Sequence, residues 1–145
     1  MELTDCVEEL VEGLKEGIIR ADLEGVATAS RLDWNDFLDG QQQVQQKYDV
    51  ILGVECVYNS SHGPALVATI AHLLSPSGAA WIVAKDGRVG LPTFIAAVEA
   101  SPVLEVSHES TVPDACVAEA QLYHEKCMSE VPFHLFKITL KSNLQ

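Results

Sequence analysis

Residues 48–58 read YDVILGVECVY, an unbroken apolar run that closes on an acid, a cysteine and a tyrosine. The run Val50–Val54 lacks the polar–apolar alternation of a half-exposed strand and is too short for an amphipathic helix. It therefore reads as a strand that is apolar on both faces, as strands are in a parallel sheet covered by helices on both sides. Glu55 and Tyr58 then stand side by side where that strand leaves the core. Packing alone gives no reason for a carboxylate and a phenol there.

The flanking sequence supplies the other layers. Downstream, SSHGPALVATIAHLL (60–74) carries Leu66, Ile70, Leu73 and Leu74 on one helix face. SPSG (75–78) reads as a turn, and AAWIVA (79–84) as a second strand buried on both faces, with Trp81 in the core. LPTFIAAVEA (91–100) is a short helix with Pro92 in its first turn, where a missing N–H costs nothing. VLEVSHE (103–109) is an alternating strand, and a long connection (109–132) leads to a final strand, FHLFKITLK (133–141).

Upstream, MELT is a short strand stopped by Asp5. CVEELVEGLKEGIIRA (6–21) places Val7, Leu10, Val11, Leu14 and Ile18 on one helix face, with acids early and Lys15 and Arg20 late, as the helix dipole prefers. Thr4 or Asp5 would cap it. VATASRL (26–32) is a strand, and DWNDFLDGQQQVQQK (33–47) a polar connection with one helical turn. Strands alternating with helices define a doubly wound α/β fold of Rossmann-like type, mostly parallel, with an antiparallel hairpin at its C-terminal edge.

Composition sets the outer limits. A chain of 145 residues fits one domain, 1–145, with a single core. A net charge of −12 with only nine basic residues excludes binding to a nucleic-acid backbone, which needs clustered Lys and Arg. No apolar stretch approaches the roughly 20 residues that span a bilayer, and the acidic start MELTDCVEELVEG is neither a signal nor a transit peptide. Four cysteines without a CxxC pair fit a reducing compartment, the cytoplasm or also the nucleus. Cys116, His124 and Cys127 match no zinc spacing, and no metal is expected.

Three short motifs then occur in order: Thr4-Asp5, Leu32-Asp33-Trp34 and Glu55-Cys56-Val57-Tyr58. With the strand order, they resemble the class I S-adenosylmethionine-dependent methyltransferases, and more narrowly the lysine methyltransferase-like family 16. The resemblance implies S-adenosylmethionine as cofactor and a protein lysine as methyl acceptor. It implies that Asp5 accepts from the ribose hydroxyls, while Asp33 and Trp34 lie against the adenine. It places Glu55 and Tyr58 where the methyl donor meets the amine. Each residue also has a plainer reading: Asp5 as a helix cap, Trp34 as cover for a sheet edge, Glu55 as a solvated acid at a strand end. The family's usual acid at the fourth-last position of the last motif is Asp, and Glu55 reaches one methylene, about 1.5 Å, further.

One family element is missing. No glycine-rich turn occurs, and the sequence starts at the Thr-Asp strand, so the first central strand of the sheet is not expected. Gly13, Gly17 and Gly25 cannot replace that turn, since two lie within the first helix and none follows a strand. The expectation is an N-terminally truncated methyltransferase domain, weak or inactive alone, whose unpaired strand edges invite self-association. The alternative is a non-catalytic regulatory or binding protein derived from the same fold. His108, His124 and His134 are read as surface or edge-strand histidines.

Overall fold

A computed structural model of the chain describes residues 1–39, 46–109 and 133–142. Its elements in order are β1 (Glu2–Asp5), α1 (Glu8–Arg20), β2 (Thr28–Arg31), a 3₁₀ turn (Trp34–Phe37), β3 (Tyr48–Val54), α2 (His62–Leu73), β4 (Leu74–Lys85), α3 (Leu91–Glu99), β5 (Leu104–Glu109) and β6 (Phe133–Leu140). The α/β class and the alternation of strands and helices are as the sequence implies.

The strands form two sheets. β1 and β2 pair in parallel, and the larger sheet runs β3-β4-β6-β5. Within it β3 and β4 are parallel, and β6 pairs antiparallel with both β4 and β5, so β6 alone runs against the others. The expected C-terminal hairpin exists, but β6 inserts beside β4 and leaves β5 at the edge. Among the described residues no strand lies between β1 and β3, whose facing edges are unpaired. Tyr48 Oη donates across that slot to Glu2, which also accepts from Ser30 Oγ at 2.5 Å.

One face of the larger sheet holds the core. Ala80, Ile82 and Ala84 of β4 and Phe136 and Ile138 of β6 pack under α2 and α3 through Leu66, Ile70, Phe94 and Val98. Phe94 meets Phe136 edge-on at 5.5 Å, an arrangement the ring quadrupoles favour. α2 and α3 touch so closely that a Cβ on Gly63 would lie 2.7 Å from the Phe94 nitrogen.

The opposite face corrects two expectations. β3 is not buried on both sides: Val50, Leu52 and Val54 are 60%, 72% and 71% exposed. Trp81 is half-buried on that same face, opposite Leu52 and under the Lys137 ammonium, 5.3 Å from its ring centroid. Apolar character on both faces shows what a strand can cover, not what covers it. α1 likewise buries only Val11 and Ile18, while Val7 and Leu10 stay exposed.

SPSG is not a free turn. It is an irregularity inside β4, where Tyr48 pairs with Leu74 but Val50 pairs with Ala79. Gly78 is required there, since a Cβ would lie 2.9 Å from both the Tyr48 and Asp49 carbonyl oxygens. Ser75 Oγ donates to Asp49 at 2.6 Å and fixes the irregularity to β3. No helix among the described residues is long and apolar enough to cross a membrane. Because Phe94 is fully buried at the α2–α3–sheet junction, Phe94→Ala should cost about 3–5 kcal/mol. Urea denaturation would read this as a lower midpoint with an unchanged slope.

Candidate functional site

The joint between the two sheets creates the site. The 3₁₀ turn leads out of β2 and lies on α2, where Thr69 Oγ1 donates to the Trp34 carbonyl at 3.5 Å and Phe37 packs on His72. Below this joint opens a cleft of about 930 Å3, within the range of small-molecule sites. Asp5, Asp33, Trp34, Glu55 and Tyr58 all line it. Three motifs spread over fifty residues of sequence therefore converge on one wall.

Asp5 ends β1. It does not cap α1, which begins two residues later behind Val7. Its Oδ1 instead accepts the Val7 N–H at 2.9 Å, which turns the chain away from the strand. Asp33 caps the 3₁₀ turn: Oδ1 accepts from the Asn35 N–H at 3.0 Å and from Asn35 Nδ2 at 2.9 Å, and Oδ2 faces Arg31 at 3.2 Å. The Asn35 hydrogen bonds, with the Arg31 charge behind them, hold the Asp33 carboxyl below its ordinary range. Trp34 is half-buried and its ring meets His62 edge-on at 5.9 Å.

Glu55 is the conformational outlier. Its φ of 55° is left-handed, costly for a residue with a Cβ. The Glu55 N–H donates to the Val83 carbonyl at 2.8 Å, and Oε1 accepts the Lys85 N–H at 2.5 Å. Oε2 accepts from Arg88 Nε at 2.9 Å and from Arg88 Nη2. Partial burial pushes the Glu55 pKa up, but Arg88 and the Lys85 N–H outweigh it and hold the carboxyl low. The carboxylate is thus bound to the end of β4 at the edge of the cleft.

Tyr58 is 61% exposed at the cleft rim. Its ring stands edge-on to His62 at 5.2 Å, so His62 sits between Trp34 and Tyr58. His62 belongs to none of the motifs, and its position at a helix start is the sole signal that would have marked it. Cys56 is pushed up to about 11 by burial, with the Glu55 charge adding to it, so the thiol stays protonated and is no nucleophile. The loop below Tyr58 is clamped from outside, since a Cβ on Gly90 would lie 2.3 Å from the Val57 carbonyl oxygen.

His108 and His134 lie away from this cleft. His134, on the interior strand β6, joins His108 at 2.9 Å and Asp86 at 3.2 Å. No group of three or more His, Cys, Asp or Glu able to hold a metal occurs among the described residues. Cys116, His124 and Cys127 lie outside the described residues, and so does the connection 109–132 beyond residue 109; that connection and Phe133 are the candidate substrate wall by sequence.

The fold and the cleft together define a Rossmann-like methyltransferase architecture. Solved structures share it at low sequence identity. An O-methyltransferase from Bacillus cereus, in complex with SAH, is 16% identical with a TM-score of 0.60, over 97% of this chain and 62% of its own. A putative rRNA-methylase from Clostridium thermocellum gives 10% and 0.65, over 97% and 72%. PKMT2 from Rickettsia typhi, in complex with AdoHcy, gives 10% and 0.63, over 97% and 44%. The chain thus spans less than two thirds of the first of these. Curated protein sequences give no match. The family model for lysine methyltransferases matches residues 1–101, and the chain belongs to that family.

The Glu55–Arg88 pair is half-exposed and therefore worth only about 1 kcal/mol. Because the Glu55 carboxyl lies below its ordinary 4.5 when folded, this contribution is full above that pH and is lost as pH falls through the folded value. Arg88→Ala should lower stability by about 1 kcal/mol at neutral pH. Its difference from the parent chain should shrink as the pH falls below 4.5 and Glu55 takes up its proton, as thermal melts across that range would read.

Proposed function

We propose that the cleft is the S-adenosylmethionine site of a methyltransferase acting on an amine, a protein lysine by family. The convergence of Asp5, Asp33, Trp34, Glu55 and Tyr58 on one cleft wall carries this reading. The residues fit the adenosine half of the cofactor. Asp5 uses one oxygen on Val7, and its other oxygen is an acceptor for ribose hydroxyls. Asp33 is ionised and fixed by its cap bonds, and Trp34 offers a flat apolar surface for a purine. No glycine-rich turn for the amino-acid half occurs in the sequence, so the cleft alone is an incomplete site and weak in catalysis.

When bound, the cofactor supplies a methyl group on a sulfonium, open to in-line displacement. The protein's part is positioning. Tyr58 at the rim orients the incoming nitrogen, and the ionised Glu55 draws a cationic side chain toward the cleft. The amine must shed a proton to expose its lone pair, and water at this open rim can take it. A net charge of −12 favours approach of a lysine-bearing segment. The reduced cysteines fit a cytoplasmic setting.

One observation favours a second reading, a non-catalytic binding protein. The Glu55 carboxylate is already paired with Arg88 and the Lys85 N–H, which leaves it less able to receive an ammonium. The slot between β1 and β3 opens on both sides, since a second cavity shares Glu2, Thr4, Tyr48, Val50 and Leu52 with the first. Unpaired edges of this kind pair with another chain, in self-association or in complex with a partner.

Calorimetric titration with S-adenosylhomocysteine separates the readings, with sedimentation run alongside. Under the methyltransferase reading the chain binds, and Trp34→Ala weakens binding by at least about tenfold, the loss of a stacked ring. A folded, soluble chain that does not bind would favour the second reading.

A further inference from the structure

Among the described residues one buried side-chain polar atom has no partner, and it stands in the cleft wall. His62 Nδ1 is enclosed by protein and forms no hydrogen bond. Buried polar groups are almost always paired, and one left bare costs about 1–3 kcal/mol. Nothing in the packing of α2 demands a histidine: the ring touches Trp34 at 5.9 Å and Tyr58 at 5.2 Å, both edge-on, contacts that a phenyl ring would make equally well. The nitrogens, not the ring, need an explanation.

The buried nitrogen decides the tautomer. An orphaned N–H is rarer in proteins than an under-used acceptor, so Nδ1 keeps a bare lone pair and the N–H lies on Nε2. Nδ1 alone is sealed, and the ring lines the cleft. His62 thereby presents an N–H donor at the open edge of its ring. The carboxylates around it, Asp5, Asp33 and Glu55, are acceptors only. A donor between Trp34 and Tyr58 has two conceivable targets, the amine or the cofactor. The amine attacks with its lone pair, and an N–H aimed at that lone pair would block the reaction. The cofactor's purine, in contrast, carries ring nitrogens that are pure acceptors, and Trp34 is the surface it would lie on.

We propose that His62 is a specificity-determining residue of the cleft, donating from Nε2 to a ring nitrogen of the adenine. This rests on the reading of the cleft as a site for S-adenosylmethionine. It gives the histidine, whose Nδ1 stays unpaired with or without ligand, a part in recognising a purine over flat rings without an acceptor.

His62→Phe tests it, because the variant keeps both edge-on contacts and removes the orphaned nitrogen. Two readouts are expected to move in opposite directions. The melting temperature should stay the same or rise. Affinity for S-adenosylhomocysteine, by calorimetry, should fall about tenfold, the worth of one well-placed hydrogen bond. Analogues with N1, N3 or N7 of the purine replaced by CH identify the acceptor: one should bind the parent chain about tenfold more weakly and bind the variant as S-adenosylhomocysteine does. Equal affinity of parent and variant for S-adenosylhomocysteine would overturn the proposal and leave the methyltransferase reading intact. So would a variant that loses stability and binds every analogue more weakly by one common factor. A folded parent chain that binds neither S-adenosylhomocysteine nor its analogues would overturn both.

Discussion

The site depends on how β3 ends. A strand in a parallel sheet must hand its chain to a helix on one face, and here that exit is made at Glu55 in a left-handed conformation. Such a conformation persists only when its surroundings over-determine it. Three partners do so: Val83, whose carbonyl accepts the Glu55 N–H; Lys85, whose N–H donates to the carboxylate; and Arg88, whose guanidinium donates to it twice. All three partners belong to the end of β4 or the turn after it. The acid that a functional reading places beside the substrate is therefore also the pin that holds two strand ends level. Cys56, Val57 and Tyr58 follow from this geometry. Val57 is driven into the core at 1% exposure, and Tyr58 is left at the rim.

The second determinant is the slot between the two sheets. β1 and β3 face each other without pairing, and the joint is made by side chains: Tyr48 on Glu2, and the Trp34–Phe37 turn on α2. A side-chain joint is weaker than a ladder of backbone hydrogen bonds and leaves strand edges open. The cleft owes its size to this. Val50, Leu52 and Val54 of β3 are exposed, as are Val7 and Leu10 at the start of α1.

Much of this was legible in the residues. The order of elements followed from apolar spacing, and the three motifs named the residues that converge on the cleft. What failed has physical causes. YDVILGV shows no alternation, so it reads as covered on both faces; sequence records what a strand could bury, and only tertiary structure says what is there to bury it. SPSG has the composition of a turn, yet Gly78 serves a close approach to the Tyr48 and Asp49 carbonyls inside β4. Asp5 has the chemistry of a helix cap but sits two residues early, and its carboxylate shapes the turn instead. His62 was invisible because its significance is a missing hydrogen bond, and sequence patterns carry no record of partners.

The polar chemistry of the cleft narrows what can occupy it. Four carboxylates, Glu2, Asp5, Asp33 and Glu55, line it, and Asp33 and Glu55 are held in the charged form by hydrogen bonds and by Arg31 and Arg88. An anionic group placed against these carboxylates would meet acceptors with nothing to donate. A ligand rich in donors, or carrying positive charge, would be matched at each of them. Ribose hydroxyls, an exocyclic amine, a sulfonium and a lysine ammonium all belong to that class. Rossmann-like folds hold phosphates at glycine-rich turns and helix N-termini; the wall of this cleft sets carboxylates toward its occupant instead, and those carboxylates match the donors of an adenosine.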